Sequence, residues 1–298
     1  MGRLSRVYVG LIKRLFRRRF ALAHLTKVPL VGSTIRKTLF DGDDMMVLPK
    51  DAVAMESVKR TVAIEPDISV EPQDVVLPSA VVEEFIRRAE DHFVMDFCIC
   101  RKSNECEDYP RDLGCLFLGK AVKNIDKGLG RLVTAEEAVE HIRRCREAGL
   151  VHLIGRNKLD SIWLSTGPKE ELMTVCSCCP CCCLWKMLPE LSQHISERVI
   201  RMPGVDIRVD TDLCTGCGSC TDGVCFVNAV SVVDGKVRID GAMCRGCGRC
   251  TEACPASAIH LDISDRAYVD AAIGRLEGLV RLGPGNEERG NGKSDQVV

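Results

Sequence analysis

The sequence predicts an α+β protein in which helices and short strands are assembled around cysteine. Three observations predict it. Apolar residues recur at helical spacing in two long stretches, one at the amino terminus and one from Ser79. Short apolar or alternating runs at 207–209, 230–233, 237–239 and 258–261 read as strands, with Asp234-Gly235 as a hairpin turn. The 19 cysteines of the 298 residues are bunched rather than spread, which in a chain this long fits metal better than a disulfide scaffold.

Residues 1–40 form a basic arm. They carry ten Lys or Arg and no Asp or Glu, whereas the other 258 residues carry 31 basic and 42 acidic side chains. A cationic arm is thus joined to an acidic body. Leu4, Val7, Leu11 and Leu15 fall at helical spacing with Ile12, Phe16 and Phe20 alongside. Arg3, Arg6, Lys13, Arg14, Arg17, Arg18 and Arg19 take much of the remaining surface. No apolar run reaches the roughly 18 residues of a spanning helix. A basic amphipathic helix suits an anionic membrane surface, each basic residue near it contributing about 1 kcal/mol. It suits an acidic partner protein equally, and packing on the body is the plainer alternative. Arg17-Arg18-Arg19-Phe20 is similar to a twin-arginine export signal, but His24, Lys27 and Pro29 interrupt the apolar stretch that should follow. The expected location is cytoplasmic, with the arm placing the chain at the inner face of the membrane and export as a minor alternative. Nucleic acid is disfavoured as a partner, because only 4% of residues are aromatic and the body is acidic.

Residues 41–78, punctuated by Pro49, Pro66, Pro72 and Pro78, read as an extended connector. The middle domain, 79–204, opens on a helix with Val82, Phe85, Ile86, Ala89 and Phe93 on one face. Thr134 and Glu137 make a capping box, and the helix they open should bury Ile142 and Cys145 and stop at Gly149. Runs at 150–154 and 161–165 around Arg156-Asn157-Lys158 read as a hairpin. A helix followed by a hairpin also echoes winged-helix DNA-binding domains, but no basic recognition helix stands out.

Cysteine density in this domain demands an explanation. Six of eight residues are thiols in Cys176-Ser177-Cys178-Cys179-Pro180-Cys181-Cys182-Cys183, and Cys98, Cys100, Cys106 and Cys115 precede them. Unligated exposed thiols would be an oxidation liability. We expect an additional iron–sulfur centre bridging the two segments, with Cys98, Cys100, Cys106, Cys115, Cys178, Cys179 and Cys182 as candidate ligands. A zinc site and a thiol or disulfide relay are the alternatives.

From 205 to 263 the pattern tightens. Cys214-x2-Cys217-x2-Cys220 is followed by Cys225, and Cys244-x2-Cys247-x2-Cys250 by Cys254 and Pro255. A cluster of four irons and four sulfides needs four thiolates, one per iron. Two x2 spacings wrap three of its corners and a remote cysteine supplies the fourth. Zinc needs only four tetrahedral ligands and would explain neither the third cysteine of each triplet nor the crossed fourth.

At these residues the stretch resembles the bacterial-type ferredoxin domain with two [4Fe–4S] clusters, over residues 205–262, here set within a larger iron–sulfur protein of the kind found in anaerobic microbes. The resemblance implies a pseudo-duplicated βαβ fold, with short helices after Cys225 and Cys254. It assigns Cys214, Cys217, Cys220 and Cys254 to one cluster and Cys244, Cys247, Cys250 and Cys225 to the other. The first half departs from the pattern twice. The loop Thr221-Asp222-Gly223-Val224 is one residue longer, and Phe226 stands where proline is usual, so one cluster should differ in potential. The fold class expected overall is α+β: this ferredoxin-like domain, a Cys-rich α+β domain before it, and the basic amphipathic amino-terminal helix. A last helix within 264–282, opened by Ser264 or Asp265, and a polar tail, 283–298, complete the chain.

Function follows from the cofactor chemistry. The expected protein passes single electrons through the two clusters and the additional centre to a redox protein or oxidoreductase complex, in a reducing, anaerobic setting. A reductase subunit whose middle centre acts on a substrate is the first alternative, and a redox-sensing metal module the second. No Gly-x-Gly-x-x-Gly nucleotide loop or compact acid/base group is present. His92, His141, His152, His194 and His260 are scattered, so an electron carrier or subunit is favoured over a self-contained enzyme.

Overall fold

The computed structural model describes residues 2–64, 76–263 and 267–283. Its centre is a seven-stranded sheet in the order β4-β2-β3-β6-β5-β1-β7. The strands are β1 (Asp44–Val47), β2 (His92–Met95), β3 (Leu116–Leu118), β4 (Gly130–Val133), β5 (Val151–Arg156), β6 (Met173–Cys178) and β7 (Val199–Arg201). Every pairing is antiparallel except β1 with β7.

Side chains alternate faces along a strand, and the sheet separates two cores accordingly. Met46, Val94, Leu116, Leu118, Ile154, Met173 and Val175 point to one side. There they meet α5 (Ser79–Arg88), α7 (Ala135–Glu147) and α11 (Tyr268–Glu277) through Val82, Phe85, Ile86, Ala138, Ile142, Val269, Ala272 and Leu276. Met45, Val47, Phe93, Met95, Phe117, Val151 and Leu153 point to the other side, together with Cys115, Cys176 and Cys178. The capping box of α7 forms as its sequence dictates: the Glu137 N–H donates to Thr134 Oγ1 at 3.2 Å and the Thr134 N–H to Glu137 Oε2 at 2.9 Å. Cys145 is buried on that helix.

The cysteine-bearing face is covered by the amino-terminal arm, which is a succession of segments rather than one helix: α1 (Gly2–Leu15), a turn at Phe16–Arg18, α2 (Arg19–Leu25) and α3 (Pro29–Ile35). Val9, Phe16, Ala23 and Phe40 enter the core. Arg6 pairs with Asp126 at 2.7 Å, and Lys13 lies 5.3 Å from the centre of the Phe97 ring. The apolar face picked out by spacing is the outward one, since Val7, Leu11 and Leu15 are exposed.

Two local readings are corrected. The segment 41–78 is not an extended connector, because it supplies β1 and then α4 (Asp51–Ile64). A strand buried on both faces shows no alternation, which is why Met45-Met46-Val47 gave no signal. Residues 65–75 of that segment, with Pro66 and Pro72, lie outside the described residues. Nor do 150–165 form a hairpin. β5 pairs with β6 and β1 instead, and Lys158–Leu164 is a helix, α8. Asn157 starts it by accepting the Leu159 N–H at 3.2 Å, and Asp43 accepts the Lys158 N–H at 2.7 Å. No winged-helix arrangement remains.

The carboxy-terminal unit contains two antiparallel pairs, β8 (Val205–Val209) with β11 (Ile259–Ile263) and β9 (Val230–Val233) with β10 (Lys236–Ile239). Asp234 and Gly235 turn β9 into β10 with φ of 51° and 72°, the two positive values a tight two-residue hairpin requires. A short helix, α10 (Arg249–Glu252), precedes Cys254 instead of following it, and 221–228 is built of turns. The four and three residues between the last two cysteines of the two halves leave no room for a longer helix. The proposed openers of α11, Ser264 and Asp265, and the tail beyond 283 lie outside the described residues.

Two buried carboxyls make the fold pH-sensitive. Burial pushes Asp43 and Asp160 up to about 7, although Asp160 accepts from Asn157 at 2.8 Å and Thr174 at 2.9 Å. A raised folded-state pKa stabilises the fold fully below the unfolded value near 4, and that contribution is lost as pH rises through about 7. Melting temperature should therefore fall by several degrees between pH 5 and pH 8, and Asp160→Asn should flatten the profile. An unchanged profile in the variant would show that Asp160 is ionised throughout.

Candidate metal centres

The two cysteine triplets are built by the same backbone bonds about thirty residues apart. Asp210 and Asp240 each accept the amides two and three residues on, at 2.9 and 3.2 Å in both cases. Their carbonyls then receive the amides of Cys214 at 3.1 Å and Cys244 at 2.8 Å. The Asp210 amide donates to Ala258 and the Asp240 amide to Ala229, both at 2.8 Å, so each loop is tied to the chain just beyond the opposite half's remote cysteine. That cysteine in turn accepts a fixed amide: Ala229 to Cys225 Sγ at 3.3 Å, and Ala258 to Cys254 Sγ at 3.2 Å. The spacing between equivalents is thirty residues up to Cys220 and Cys250 and twenty-nine afterwards, which locates the extra residue in the 221–224 loop.

This crossed tethering brings the remote cysteines across. Cys225, Cys244, Cys247 and Cys250 line one cavity together with Ile207, Phe226, Val230 and glycines 246 and 248. Phe226, in the place of the usual proline, forms part of its wall. Cys254 lies beside Cys220 with Cys214 and Cys217, and Cys217 is the exposed member. Gly216 has φ +68°, and a Cβ there would stand 2.1 Å from the Gly235 carbonyl oxygen, so the first loop tolerates no side chain at that point. Burial pushes the Cys247 thiol up to about 11 and also raises Cys244 and Cys250. A thiol kept neutral in the bare cavity is one a metal must deprotonate on binding. The cavity, its four thiols and the amides aimed at their sulfurs fit a cluster of several irons.

Residues 206–255 match the family of 4Fe-4S dicluster domains. They form an iron–sulfur domain of ferredoxin type, here called the dicluster domain. No curated protein matches the chain.

The ten middle cysteines are not gathered into one centre. Cys106, Cys179, Cys181 and Cys182 form one group, all four sulfurs within 4.8 Å of one another, with Cys106 and Cys179 each 3.5 Å from Cys181. Four thiolates around a single tetrahedral ion at about 2.3 Å stand about 3.8 Å apart, so this group is sized for one metal ion. Among the described residues it is the one set of three or more ligand atoms that lie so close together. The dicluster cysteines stand farther apart, as they must if each binds its own iron.

Cys98, Cys100, Cys115, Cys176, Cys178 and Cys183 make a second, more open group on the covered face of the sheet. Cys115, just before β3, and Cys176, on β6, lie side by side with their sulfurs 3.9 Å apart. Cys98 neighbours Cys100, and Cys178 neighbours both Cys176 and Cys183. Between the two groups lies Arg101, 0% exposed. It donates to the carbonyls of Pro110 at 2.6 Å, Ser177 at 2.7 Å and Leu113, and has no carboxylate partner among the described residues. Burial works against its charge, but Cys98, Cys179, Cys178 and Cys115 outweigh it and raise its pKa.

The candidate ligands read from spacing thus divide. Cys106, Cys179 and Cys182 fall in the first group, and Cys98, Cys100, Cys115 and Cys178 in the second. Cys176, Cys181 and Cys183 are members that sequence reasoning left out. Strand alternation would have placed Cys176 with Cys178, but the irregular turn at Pro180 hides the sorting of 179–183.

Proposed function

We propose that the chain is a one-electron carrier built on a pseudo-duplicated ferredoxin fold. In this reading Cys214, Cys217, Cys220 and Cys254 hold one [4Fe–4S] cluster, and Cys225, Cys244, Cys247 and Cys250 the other. When bound, such clusters accept and release single electrons with little rearrangement. The observation that carries the reading is the cavity enclosed by three cysteines of one half and the remote cysteine of the other. The chain's own part is to fix those sulfurs with backbone amides, to leave Cys217 at the surface where a donor can approach, and to seat the second cavity against the body. Cys225, Cys244 and Cys247 pack on the same core as Cys100, Cys176, Cys178 and Cys183, so the domain's inner end faces the middle cysteines. Cys106, Cys179, Cys181 and Cys182 supply an additional single-metal centre, as iron or zinc.

Reductive titration under argon tests this. The visible absorbance should bleach with uptake of about one electron per cluster and return on adding a one-electron acceptor, with no substrate present. Colour that persists under dithionite would contradict it.

The arm supplies the place of action. No helix among the described residues is long and apolar enough to cross a membrane. Val7 (66% exposed), Leu11, Leu15 and Leu30 (86% exposed) nevertheless lie outward among the exposed Arg14, Arg17, Arg18 and Lys27. Apolar side chains ringed by cations suit an anionic lipid surface. Because Val9, Phe16 and Ala23 belong to the core, deleting the arm would confuse binding with folding. Leu11→Glu/Leu30→Glu should instead cut sedimentation with phosphatidylglycerol vesicles about tenfold at unchanged melting temperature. Equal sedimentation would remove the membrane from the account.

A further inference from the structure

We propose that Cys98, Cys100, Cys115, Cys176, Cys178 and Cys183 bind a polynuclear iron–sulfur cluster, separate from the single-metal site of Cys106, Cys179, Cys181 and Cys182. The proposal stands independently of the dicluster reading.

Number and spacing of the thiols come first. Six exceed what one tetrahedral ion takes. They are also more open than the four-thiol group, which among the described residues is the one set of three or more ligand atoms all within 4.8 Å of one another. Six thiols left unligated in a covered layer would be weakly bonding groups with no packing reason for such density.

Charge is the second, independent observation. Three arginines converge on this pocket, and none has a carboxylate partner among the described residues. Arg101, wholly buried, spends its donors on three carbonyls. Arg19 is 8% exposed and sits between the rings of Phe16 and Phe20 at 4.4 and 4.5 Å. Its Nη1 donates to the Phe16 carbonyl at 3.1 Å, while Nε has no partner. Cys100 and Cys183 of the pocket lie within electrostatic reach of it, as does Cys182 of the four-thiol group. Arg249, which precedes Cys250 in the dicluster domain, donates to the Cys178 carbonyl at 2.6 Å and to the Tyr109 hydroxyl at 3.4 Å. Burying a guanidinium without an anion costs several kcal/mol. An anionic cluster of thiolates, sulfides and iron would offset that cost for all three at once, whereas six neutral thiols would not.

Position gives the site its role. The Arg249 bridge joins the backbone beside a dicluster cysteine directly to a cysteine of the pocket. The arm closes over the other side through Arg19, Phe16 and Ala23. The pocket is therefore the innermost member of a row that begins at exposed Cys217, and it is shielded from solvent.

The test is metal and sulfide accounting on the full chain purified without air. Native mass spectrometry of the wild type should show acid-labile sulfide beyond the roughly eight atoms of two [4Fe–4S] clusters. Cys100→Ser/Cys183→Ser should lose iron and sulfide together while the dicluster paramagnetic signals persist. Cys106→Ser/Cys181→Ser should lose about one metal ion and no sulfide. The proposal is overturned if wild-type sulfide stops at eight, if the Cys100/Cys183 variant loses metal without sulfide, or if the intact mass shows disulfides in the pocket. The wild-type measurement decides even if that variant fails to fold. Absence of sulfide altogether would sink both readings, whereas sulfide that the Cys100/Cys183 variant loses in a chain without the dicluster paramagnetic signals would sink the dicluster reading alone.

Discussion

Cys225→Ser protein, purified without air, is expected to lose about four irons and the same number of sulfides, although Cys244, Cys247 and Cys250 are intact. Cys225 is separated from that triplet by the whole β9–β10 hairpin, and only the crossed arrangement makes it their partner. Its sulfur is aimed by the Ala229 amide at 3.3 Å, in the cavity that the triplet lines. The remaining reduced signal should then narrow, because the neighbouring paramagnet is gone. Loss of the Cys214, Cys217 and Cys220 cluster instead would mean that each half keeps its own fourth cysteine. Serine in place of Cys254 should give the mirror result and leave the inner cluster in place.

Arg101→Met is expected to lower the melting temperature by about 10 °C or more. The side chain is fully buried, so methionine leaves the carbonyls of Pro110, Leu113 and Ser177 without donors inside the protein, at about 1–3 kcal/mol each. It also removes the cation placed between two groups of thiols. A total of roughly 3–5 kcal/mol follows, and in a chain of this size each kcal/mol is worth about 2–4 °C. Arg101→Lys should recover only part, since one ammonium cannot reach three carbonyls in a planar fork. A shift below about 2 °C in the methionine variant would show that the pocket carries little negative charge.

The legible parts of the sequence were those with strict spacing. The triplets, the Asp234-Gly235 hairpin and the Thr134–Glu137 capping box each depend on neighbours a fixed few residues apart, and each forms. What spacing does not encode was harder to see. β1 is buried on both faces and therefore lacks a period. Asn157 and Asp43 together start a helix where a strand was expected, the second by accepting an amide 115 residues further on. The arm has one apolar face turned outward and another, through Val9 and Phe16, turned inward, and periodicity finds only that such faces exist. The division of the middle cysteines is a property of the folded sheet: β6 sends Cys176 and Cys178 to the arm side, while the turn at Pro180 carries Cys179, Cys181 and Cys182 to Cys106.

If the dicluster domain holds two iron–sulfur clusters close enough to act as a conduit, electron paramagnetic resonance of the dithionite-reduced full chain should show two low-temperature signals from reduced [4Fe–4S] clusters, each broadened by the other. Together they should integrate to about two spins per chain from this domain. A folded chain without these signals, carrying zinc and no acid-labile sulfide, would contradict that reading.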